Sequence, residues 1–270
     1  MNKKNSHSFN KGGNTRFWKG KEVNEYDKNQ KMSVEHKDEV LNNMERIYRF
    51  FVKKYDISSV RILDIGCGPG TLSLQLLDSI GDCKIIGVDS SKQMIELSKN
   101  RLENYIPGRY SSYISDFNTE NFWIPKIDKK YDFIVSSLAL HYLSDERREA
   151  FFKEIYDHLK ENGVFIGCIG NLSNVPVIRE MEQIFKAEYA YKNKIQQVND
   201  FGGLGSLVSL DDSENFDTFL TKSKNRQKEM NINWRSPKDY LMALKNAGFE
   251  KSEIVWHKWV KSIYVAIKRS

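Results

Sequence analysis

The chain has 270 residues, a formal net charge of +6, and 40% hydrophobic and 12% aromatic residues. This length fits one large domain or one domain with a sizeable insertion, and the apolar fraction can supply a core. No run of about 18 apolar residues occurs and no secretory signal is recognisable, so we expect neither a membrane span nor export. Three scattered cysteines, Cys67, Cys83 and Cys168, fit a reducing cytoplasm and have no metal-binding spacing.

The excess of basic over acidic residues is compatible with a nucleic-acid partner. The Lys and Arg residues are spread along the chain and form no tight block. We therefore interpret them as solvated surface residues, so that only the net charge favours nucleic acid.

The N-terminal segment changes from a polar stretch to a helix. Residues 1–15 are polar, and Phe17-Trp18 and Tyr26-Asp27 interrupt the polar sequence that follows. Apolar residues then recur at helical spacing, which predicts an amphipathic helix over residues 35–54. Its apolar face would pack on a sheet.

A strand, a glycine turn and a helix follow in immediate succession. Val60 to Leu63 form a short apolar run that predicts a buried strand, and Thr71 begins a helical pattern. Between them, glycines at 66, 68 and 70 let the backbone turn sharply and let a ligand approach without meeting a Cβ. The new helix points its free N–H groups at the same space.

Two acids specify which ligand this turn would take. Asp89 ends the next predicted strand about twenty residues further on, where a carboxylate can accept hydrogen bonds from both hydroxyls of a ribose. Asp64 lies inside the glycine turn, where it would repel a pyrophosphate and attract a cationic amino-acid tail. The pair favours S-adenosylmethionine (SAM) over NAD as the cofactor.

The stretch from Leu63 to Gly70 resembles motif I of the class I SAM-dependent methyltransferases, and Asp89 matches the acid that the family places on the ribose. The resemblance implies an α/β fold with a doubly wound, mostly parallel, seven-stranded Rossmann-like sheet whose last strand is antiparallel. It implies SAM as cofactor and S-adenosylhomocysteine as product. The cofactor-binding residues expected are Asp64, Gly66, Cys67, Gly68, Gly70, Asp89, Ser90, Met94, Ser115, Asp116, Phe117, Ser136 and Leu138.

The adenine side of that site is implied by two further segments. A helix predicted from Ser91 to Glu103 carries Met94, which lies where family members place an apolar residue against adenine; a core role is the alternative. A third strand over 110–114 ends at Ser115-Asp116-Phe117, matching the family's third motif. There the aspartate accepts from the adenine amino group and the aromatic ring covers the base.

The loop after the fourth strand, predicted over 131–136, should hold the chemistry, because ligands of open parallel sheets bind beyond the carboxyl ends of the strands. We expect His141 and Tyr142 to be the catalytic, acceptor-facing residues. Imidazole titrates near neutral pH, so His141 can take a proton from an acceptor as the methyl arrives. An orienting role and a plain hydrogen bond to a loop carbonyl remain alternatives for His141.

The second half of the chain contains a predicted insertion. Ser144 is a cap candidate for a helix that we expect Asn162-Gly163 to end, with the fifth strand over 164–169. Residues 171–235 are too long for an ordinary loop and too aromatic for a linker. We interpret them as a cap over the substrate pocket, with surface decoration as the alternative.

The C-terminal residues complete the sheet. Ser236-Pro237 opens the last helix with a cap and an N1 proline, and two strands are predicted near 252–256 and 260–267. The predicted organisation is an N-terminal arm and helical lid over 1–54, a SAM-binding core over 55–170, the inserted cap over 171–235, and a C-terminal helix and hairpin over 236–270.

The N-terminal arm resembles the segment that many small-molecule methyltransferases fold over the cofactor. The resemblance implies that Trp18 and Tyr26 belong to a lid on the substrate side; packing alone is the alternative. We predict that residues 15–30 and the insertion close over the pocket, since lids commonly exclude water from reacting groups.

The loop after the fourth strand also restricts the acceptor. Its Ser136-Ser137-Leu138-Ala139 lacks the Asn/Asp-Pro-Pro-aromatic motif of enzymes that methylate base nitrogens, and it lacks the nucleophilic Cys of base C5 methylation and the paired glutamates of arginine methylation. Its Leu-Ala-Leu-His-Tyr-Leu run resembles small-molecule methyltransferases. The resemblance implies a cytoplasmic, metal-free enzyme, monomeric or homodimeric, that moves the methyl group of SAM to a small molecule by in-line displacement. A nucleic-acid methyltransferase and a non-catalytic SAM-binding module are the alternatives.

Overall fold

The structure, a computed structural model, describes residues 36–195, 215–229 and 232–269. Trp18 and Tyr26, for which the sequence predicts a lid, lie outside the described residues, as does the middle of the insertion. No helix within these ranges is long and apolar enough to cross a membrane.

One sheet of seven strands forms the centre of the fold. In chain order the strands are β1 (Val60–Ile65), β2 (Cys83–Asp89), β3 (Tyr110–Ile114), β4 (Tyr131–Ser137), β5 (Leu159–Gly170), β6 (Lys251–Lys258) and β7 (Lys261–Ile267). Across the sheet their order is β3-β2-β1-β4-β5-β7-β6. The first five strands are parallel, and β7 is antiparallel to both of its neighbours. The predicted doubly wound sheet with an antiparallel last strand is thus confirmed.

Seven helices of the described ranges flank or cap this sheet. They are α1 (Lys37–Lys54), α2 (Thr71–Ser79), α3 (Lys92–Arg101), α4 (Asp145–His158), α5 (Pro176–Ile195), α6 (Phe216–Glu229) and α7 (Pro237–Asn246). The Ser91 and Ser144 side chains each accept a hydrogen bond from the backbone N–H three residues on, as predicted caps should. Ser236 does the same for α7 and forms a full capping box with Asp239.

The two faces of the sheet bury separate apolar layers. Successive residues of a strand point to opposite faces, so Ile134 of β4 packs in one layer while Phe133 and Val135 pack in the other. Helices α4 and α7 cover the first layer, for example with Phe151, and α1 and α2 cover the second, for example with Tyr48. Each fully buried side chain of this size contributes about 1.5–3 kcal/mol relative to exposure.

Two element boundaries differ from the sequence prediction. Helix α4 ends at His158, and β5 already begins at Leu159, which pairs with Tyr131. The predicted terminator Asn162-Gly163 lies inside β5 at a register shift, because Phe133 pairs next with Val164. Asn162 adopts a left-handed backbone conformation with φ 61°. The Asn-Gly pair therefore forms part of an irregularity within β5 and does not end the helix.

The described part of the insertion is a pair of helices. Besides α5, it contains α6, for which the sequence analysis makes no helix prediction. Phe219 of α6 and Ala187 of α5 form a small buried cluster, with Tyr191 and Phe216 against it. The insertion therefore has a separate small core beside the sheet.

Candidate functional site

A cleft opens at the carboxyl edge of the sheet, where the order reverses between β1 and β4. Most of the predicted cofactor residues line it, as does the predicted acceptor-facing Tyr142: Asp64, Gly66, Cys67, Gly68, Asp89, Ser90, Met94, Asp116, Phe117, Leu138 and Tyr142. Gly70, Ser115, Ser136 and His141 are not part of the lining. Open parallel sheets bind ligands at such a reversal.

The glycine turn has little room for side chains. Gly66 has φ +67°, and a Cβ there would collide with the Cβ of Ala139 in the loop after β4. The Cys67 N–H donates to the Val88 carbonyl at 2.9 Å, which ties the turn to β2. A left-handed residue pressed against a neighbouring loop requires glycine, so this position depends on both backbone freedom and space.

Asp89 connects the turn to the end of β2. Its Oδ2 accepts from the Gly68 N–H at 3.0 Å, and its Oδ1 accepts from the Ser91 N–H at 2.8 Å. Burial raises the pKa of this carboxyl to about 6, although the two backbone hydrogen bonds oppose the shift. A carboxylate offers about four lone-pair sites, so acceptance from ribose hydroxyls remains possible beside the two backbone bonds.

Asp64 lies deeper, with 1% of its surface exposed. Burial raises the pKa of its carboxyl to about 7, and the charge of Asp89 adds to the shift. The Ser73 hydroxyl of α2 donates to Asp64 Oδ2 at 2.6 Å and fixes the carboxylate. Asp64 is buried and Asp89 is partly buried. Two such carboxyls with raised pKa values in one cleft fit a cationic ligand, because a nearby positive charge favours their ionised forms.

The residues predicted to surround the adenine provide apolar contacts and a hydrogen-bond acceptor. Met94 is buried and Phe117 is partly buried, and both line the cleft. Asp116 accepts from the Asn118 N–H at 2.9 Å through Oδ1. These side chains offer the apolar contacts and the acceptor that a purine base with an amino group requires.

Three predicted cofactor residues serve the fold instead of lining the cleft. The Ser136 hydroxyl donates to the Ile65 carbonyl at 2.8 Å and joins β4 to β1. The Ser115 hydroxyl donates to the Phe122 carbonyl at 2.8 Å. Gly70 is the left-handed N-cap of α2. These three residues lie next to motif residues in the sequence, which is why the motifs predict them as cofactor-binding residues.

The turn after β4 separates the two predicted catalytic residues. Residues Leu140–Tyr142 form a short 3-10 helix, in which Tyr142 lines the cleft and His141 is not part of the lining. His141 is only 7% exposed, and its ring stacks on Trp234 with centroids 5.4 Å apart. Burial, with Lys186 and Lys261 nearby, lowers the pKa of His141 to about 3. Adjacent residues of a tight turn thus have different environments.

Several residues that line the cleft are not predicted from the sequence. Lys37 and Leu41 reach the cleft from α1, and Asn118 reaches it from the loop after β3. The lining also includes Pro69, Thr71, Leu72, Ser137 and Ala139. The last five lie within the motifs already recognised, whereas the contribution of α1 is set by tertiary packing and has no local signal.

Known proteins resemble the chain in this core. A profile of methyltransferase domains matches residues 62–163. A carboxy-S-adenosyl-L-methionine synthase of Campylobacter fetus is 31% identical over 108 residues, which cover 40% of this chain and 43% of that protein. The enzyme of the same name from Campylobacter lari is 24% identical over 212 residues, 78% of each chain.

These matches support a class I SAM-dependent methyltransferase, with the domain profile confined to residues 62–163. In structure, the chain matches a magnesium protoporphyrin IX methyltransferase from Synechocystis with bound SAM, with TM-score 0.55, 12% identity and 95% of both chains covered. At this identity the likeness concerns the fold. The matches also support SAM as the cofactor, and the carboxyls of Asp64 and Asp89 in the cleft fit its cationic amino-acid tail and its ribose.

Proposed function

We propose that this methyltransferase-family protein moves the methyl group of SAM to a small-molecule acceptor by in-line displacement. The observation that carries the proposal is that one cleft contains Asp64, Asp89 and Tyr142. The two carboxyls fit the cofactor, and Tyr142 comes from the loop at the edge where an acceptor would enter. Transfer from a sulfonium mainly needs aligned reactants and exclusion of water.

Each end of the cofactor has a chemical counterpart in the cleft. Asp64 would hold the ammonium group, Asp89 the ribose hydroxyls, and Asp116 the adenine amino group. Charge-assisted hydrogen bonds of this kind are stronger than neutral ones. The sulfonium would then lie between Asp64 and the turn after β4, on the side of Tyr142.

The acceptor-facing role goes to Tyr142 in preference to His141. A histidine with a pKa of about 3 is a weak base at neutral pH. His141 also lies outside the lining of the cleft. The same observation speaks against direct orientation of the acceptor by His141. Its ring lies between those of Trp234 and Tyr142, so we assign it to the support of the turn, with the acceptor meeting Tyr142. Acceptors that are ionised or neutral nucleophiles at working pH need no base.

A second function is suggested by the relatives named carboxy-S-adenosyl-L-methionine synthase. One of them aligns with 78% of this chain. In that case the cofactor itself would be the molecule modified, and the second reactant would have to supply a carboxyl group. Lys37, a cation in the lining of the cleft, favours a reactant that carries a negative charge.

Mass spectrometry of SAM-derived products distinguishes these functions. The protein is incubated with SAM carrying a deuterated methyl group and a pool of small acids, amines and hydroxylated compounds. The proposal predicts S-adenosylhomocysteine and one acceptor with a deuterated methyl group. A carboxylated SAM would establish the second function, and SAM that binds but is recovered intact would indicate a binding module. For the nucleic-acid alternative, RNA would have to be methylated and its binding would fall steeply with salt.

A further inference from the structure

The turn that presents Tyr142 to the cleft is held from two sides by asparagines. On the side of β3, Asn118 Nδ2 donates to the Tyr142 carbonyl at 3.1 Å, and Asn118 Oδ1 accepts from the Ser144 N–H at 2.8 Å. On the side of the insertion, the Asn233 N–H donates to the His141 carbonyl at 3.1 Å. Asn233 Nδ2 donates to the Leu143 carbonyl at 3.3 Å. The backbone of the turn is thus bonded to residues far from it in sequence.

Trp234, the next residue of the insertion, adds the largest contact. Its ring lies parallel to the ring of His141, with 3° between the planes and 5.4 Å between centroids, an offset stack. The ring of Tyr142 lies on His141 at 4.3 Å, tilted by 41°. The three aromatic side chains therefore form a continuous contact from the insertion to the residue that lines the cleft.

The end of β5 leaves room for this stack only because residue 170 is glycine. A Cβ on Gly170 would lie 2.7 Å from Cζ3 of Trp234 and 3.3 Å from Nδ1 of His141. The first distance is shorter than real Cβ contacts, so a side chain would displace the tryptophan. The Nδ1 atom of His141 is itself buried without a hydrogen-bond partner. A neutral ring used for packing tolerates this environment, whereas a ring that exchanged protons would need a partner there.

The two described helices of the insertion, α5 and α6, each contact Trp234. From α5, the Lys186 Nζ lies 4.1 Å from the centre of the tryptophan ring, a cation–π contact. From α6, Gln227 Oε1 accepts from the indole N–H at 3.0 Å. Gln227 is buried, and Trp234 is partly buried. A displacement of either helix therefore changes the position of the ring that supports His141.

We propose that Trp234 is a positioning residue, which transmits the placement of the insertion through His141 to Tyr142 and so sets the acceptor side of the cleft. This inference rests on the proposed function, because it assigns Tyr142 to the acceptor side. It gives the insertion a task besides its predicted role as a cover of the pocket. It also gives His141 a task that requires an uncharged ring and no proton transfer.

The test observes Tyr142 directly, with S-adenosylhomocysteine as the probe. The full chain carries 3-fluorotyrosine at position 142 alone, and its fluorine resonance is recorded with and without saturating probe. Calorimetry measures the affinity for the probe in the same samples. The variants are Trp234→Ala, Trp234→Phe, and Phe50→Ala as control. Phe50 is 60% exposed on α1 and lies outside the lining of the cleft, and its replacement likewise removes an aromatic ring.

For the wild-type chain we expect one narrow resonance that shifts when the probe binds. In Trp234→Ala that resonance should broaden or move towards the position of solvent-exposed fluorotyrosine, with the dissociation constant of the probe changed by about threefold or less. Trp234→Phe, which keeps an aromatic ring on His141, should restore the wild-type resonance. Phe50→Ala should leave it unchanged. An unchanged resonance in folded Trp234→Ala would overturn the proposal.

A milder variant keeps the test decisive if Trp234→Ala fails to fold. Lys186→Met removes the cation above the ring and retains the length of the side chain, and we expect the Tyr142 resonance to broaden in this variant as well. An unchanged resonance there would contradict the role given to α5. If the wild-type chain does not bind the probe, the proposed function fails, whereas the comparison of resonances without probe still decides the role of Trp234.

Discussion

The Gly68 N–H donates to Asp89 Oδ2 at 3.0 Å. This bond joins the glycine turn after β1 to the end of β2, so the two parts of the cofactor motif share one carboxylate. A ligand that bonds to Asp89 therefore contacts a group whose position the turn already fixes. Such preorganisation lowers the entropy cost of binding.

Replacement of Asp89 tests the cofactor contact. Asp89→Ala should weaken SAM binding by about 1.5–3 kcal/mol, the cost of losing hydrogen bonds to a charged acceptor. Calorimetric titration of SAM measures the change. Asp82→Ala, the same substitution at an exposed position before β2, is the control and should bind like the wild type. Wild-type affinity in Asp89→Ala would rule out the assignment.

The affinity for SAM should depend on pH through Asp64. Burial raises the pKa of the Asp64 carboxyl to about 7 and that of Asp89 to about 6. A cation binds the ionised carboxylate, so affinity should rise with pH between about 5.5 and 8 and be lost as pH falls through the raised pKa values. Binding near pH 6 should release protons, which calorimetry in two buffers of different ionisation enthalpy detects.

The variant Asp64→Asn removes the titrating group with the highest of these pKa values. We expect weaker SAM binding at pH 8 and a smaller change of affinity with pH than in the wild type. The Asp128→Asn variant, with the same substitution on the surface, serves as the control. If the wild-type affinity is the same at pH 5.5 and 8, no buried carboxylate titrates on binding, and the assignment of Asp64 to the ammonium is wrong.

The free energy of unfolding should depend on pH because His141 is uncharged in the folded protein. Its pKa is lowered to about 3 in the fold, against about 6.5 in an unfolded chain. The unfolded state then binds more protons between these values, so the contribution of His141 is fully present above pH 6.5 and is lost as pH falls towards 3. His141→Phe keeps a ring on Trp234 and does not titrate. Urea unfolding at pH 7.5 and 5 should show a smaller loss of stability in this variant than in the wild type.

Once an acceptor is known, three substitutions separate the roles of His141. A base role predicts that His141→Ala lowers kcat by roughly 10²–10⁴-fold with SAM affinity intact. If His141 orients the acceptor by a hydrogen bond, His141→Asn retains much of the rate. If its ring supports Tyr142, His141→Phe retains much of the rate and His141→Asn does not. A fully active His141→Ala enzyme would remove the residue from the site altogether.

Removal of residues 1–30 tests the predicted lid. These residues lie outside the described part of the chain, and their apolar side chains, among them Trp18 and Tyr26, support the prediction. The shortened protein should keep its circular dichroism spectrum and its cooperative unfolding and should lose methyl-transfer activity, because water reaches the reacting groups. Full activity in the shortened protein would show that the segment is packing or tail.

The sequence predicted the cofactor half of the cleft better than the acceptor half. Asp64, Gly66, Gly68 and Asp89 belong to one strand–turn–helix unit and the next strand, so short-range patterns fix where they lie. The short apolar runs likewise predicted the parallel strands. These features are determined by residues that lie within about thirty positions of one another in the sequence, the size of one such unit.

The acceptor side depends on contacts between distant segments. Nothing near His141 in the sequence shows that Trp234 packs on it, or that of the neighbours His141 and Tyr142 only Tyr142 lines the cleft. Lys37 comes to the cleft by the packing of α1. The Asn162-Gly163 pair predicts a helix end, because the same residue pair is typical of helix ends and of turns inside irregular strands.

A crystal structure with S-adenosylhomocysteine is the most direct test of the central claim, that the cleft at the β1–β4 reversal binds SAM with its sulfur towards the turn after β4. We predict the ribose hydroxyls within hydrogen-bond distance of the Asp89 carboxylate, the ammonium group beside Asp64, and the sulfur facing Tyr142. A ligand bound elsewhere, or one in this cleft with its sulfur directed away from Tyr142 and no bond to Asp89, would contradict the account.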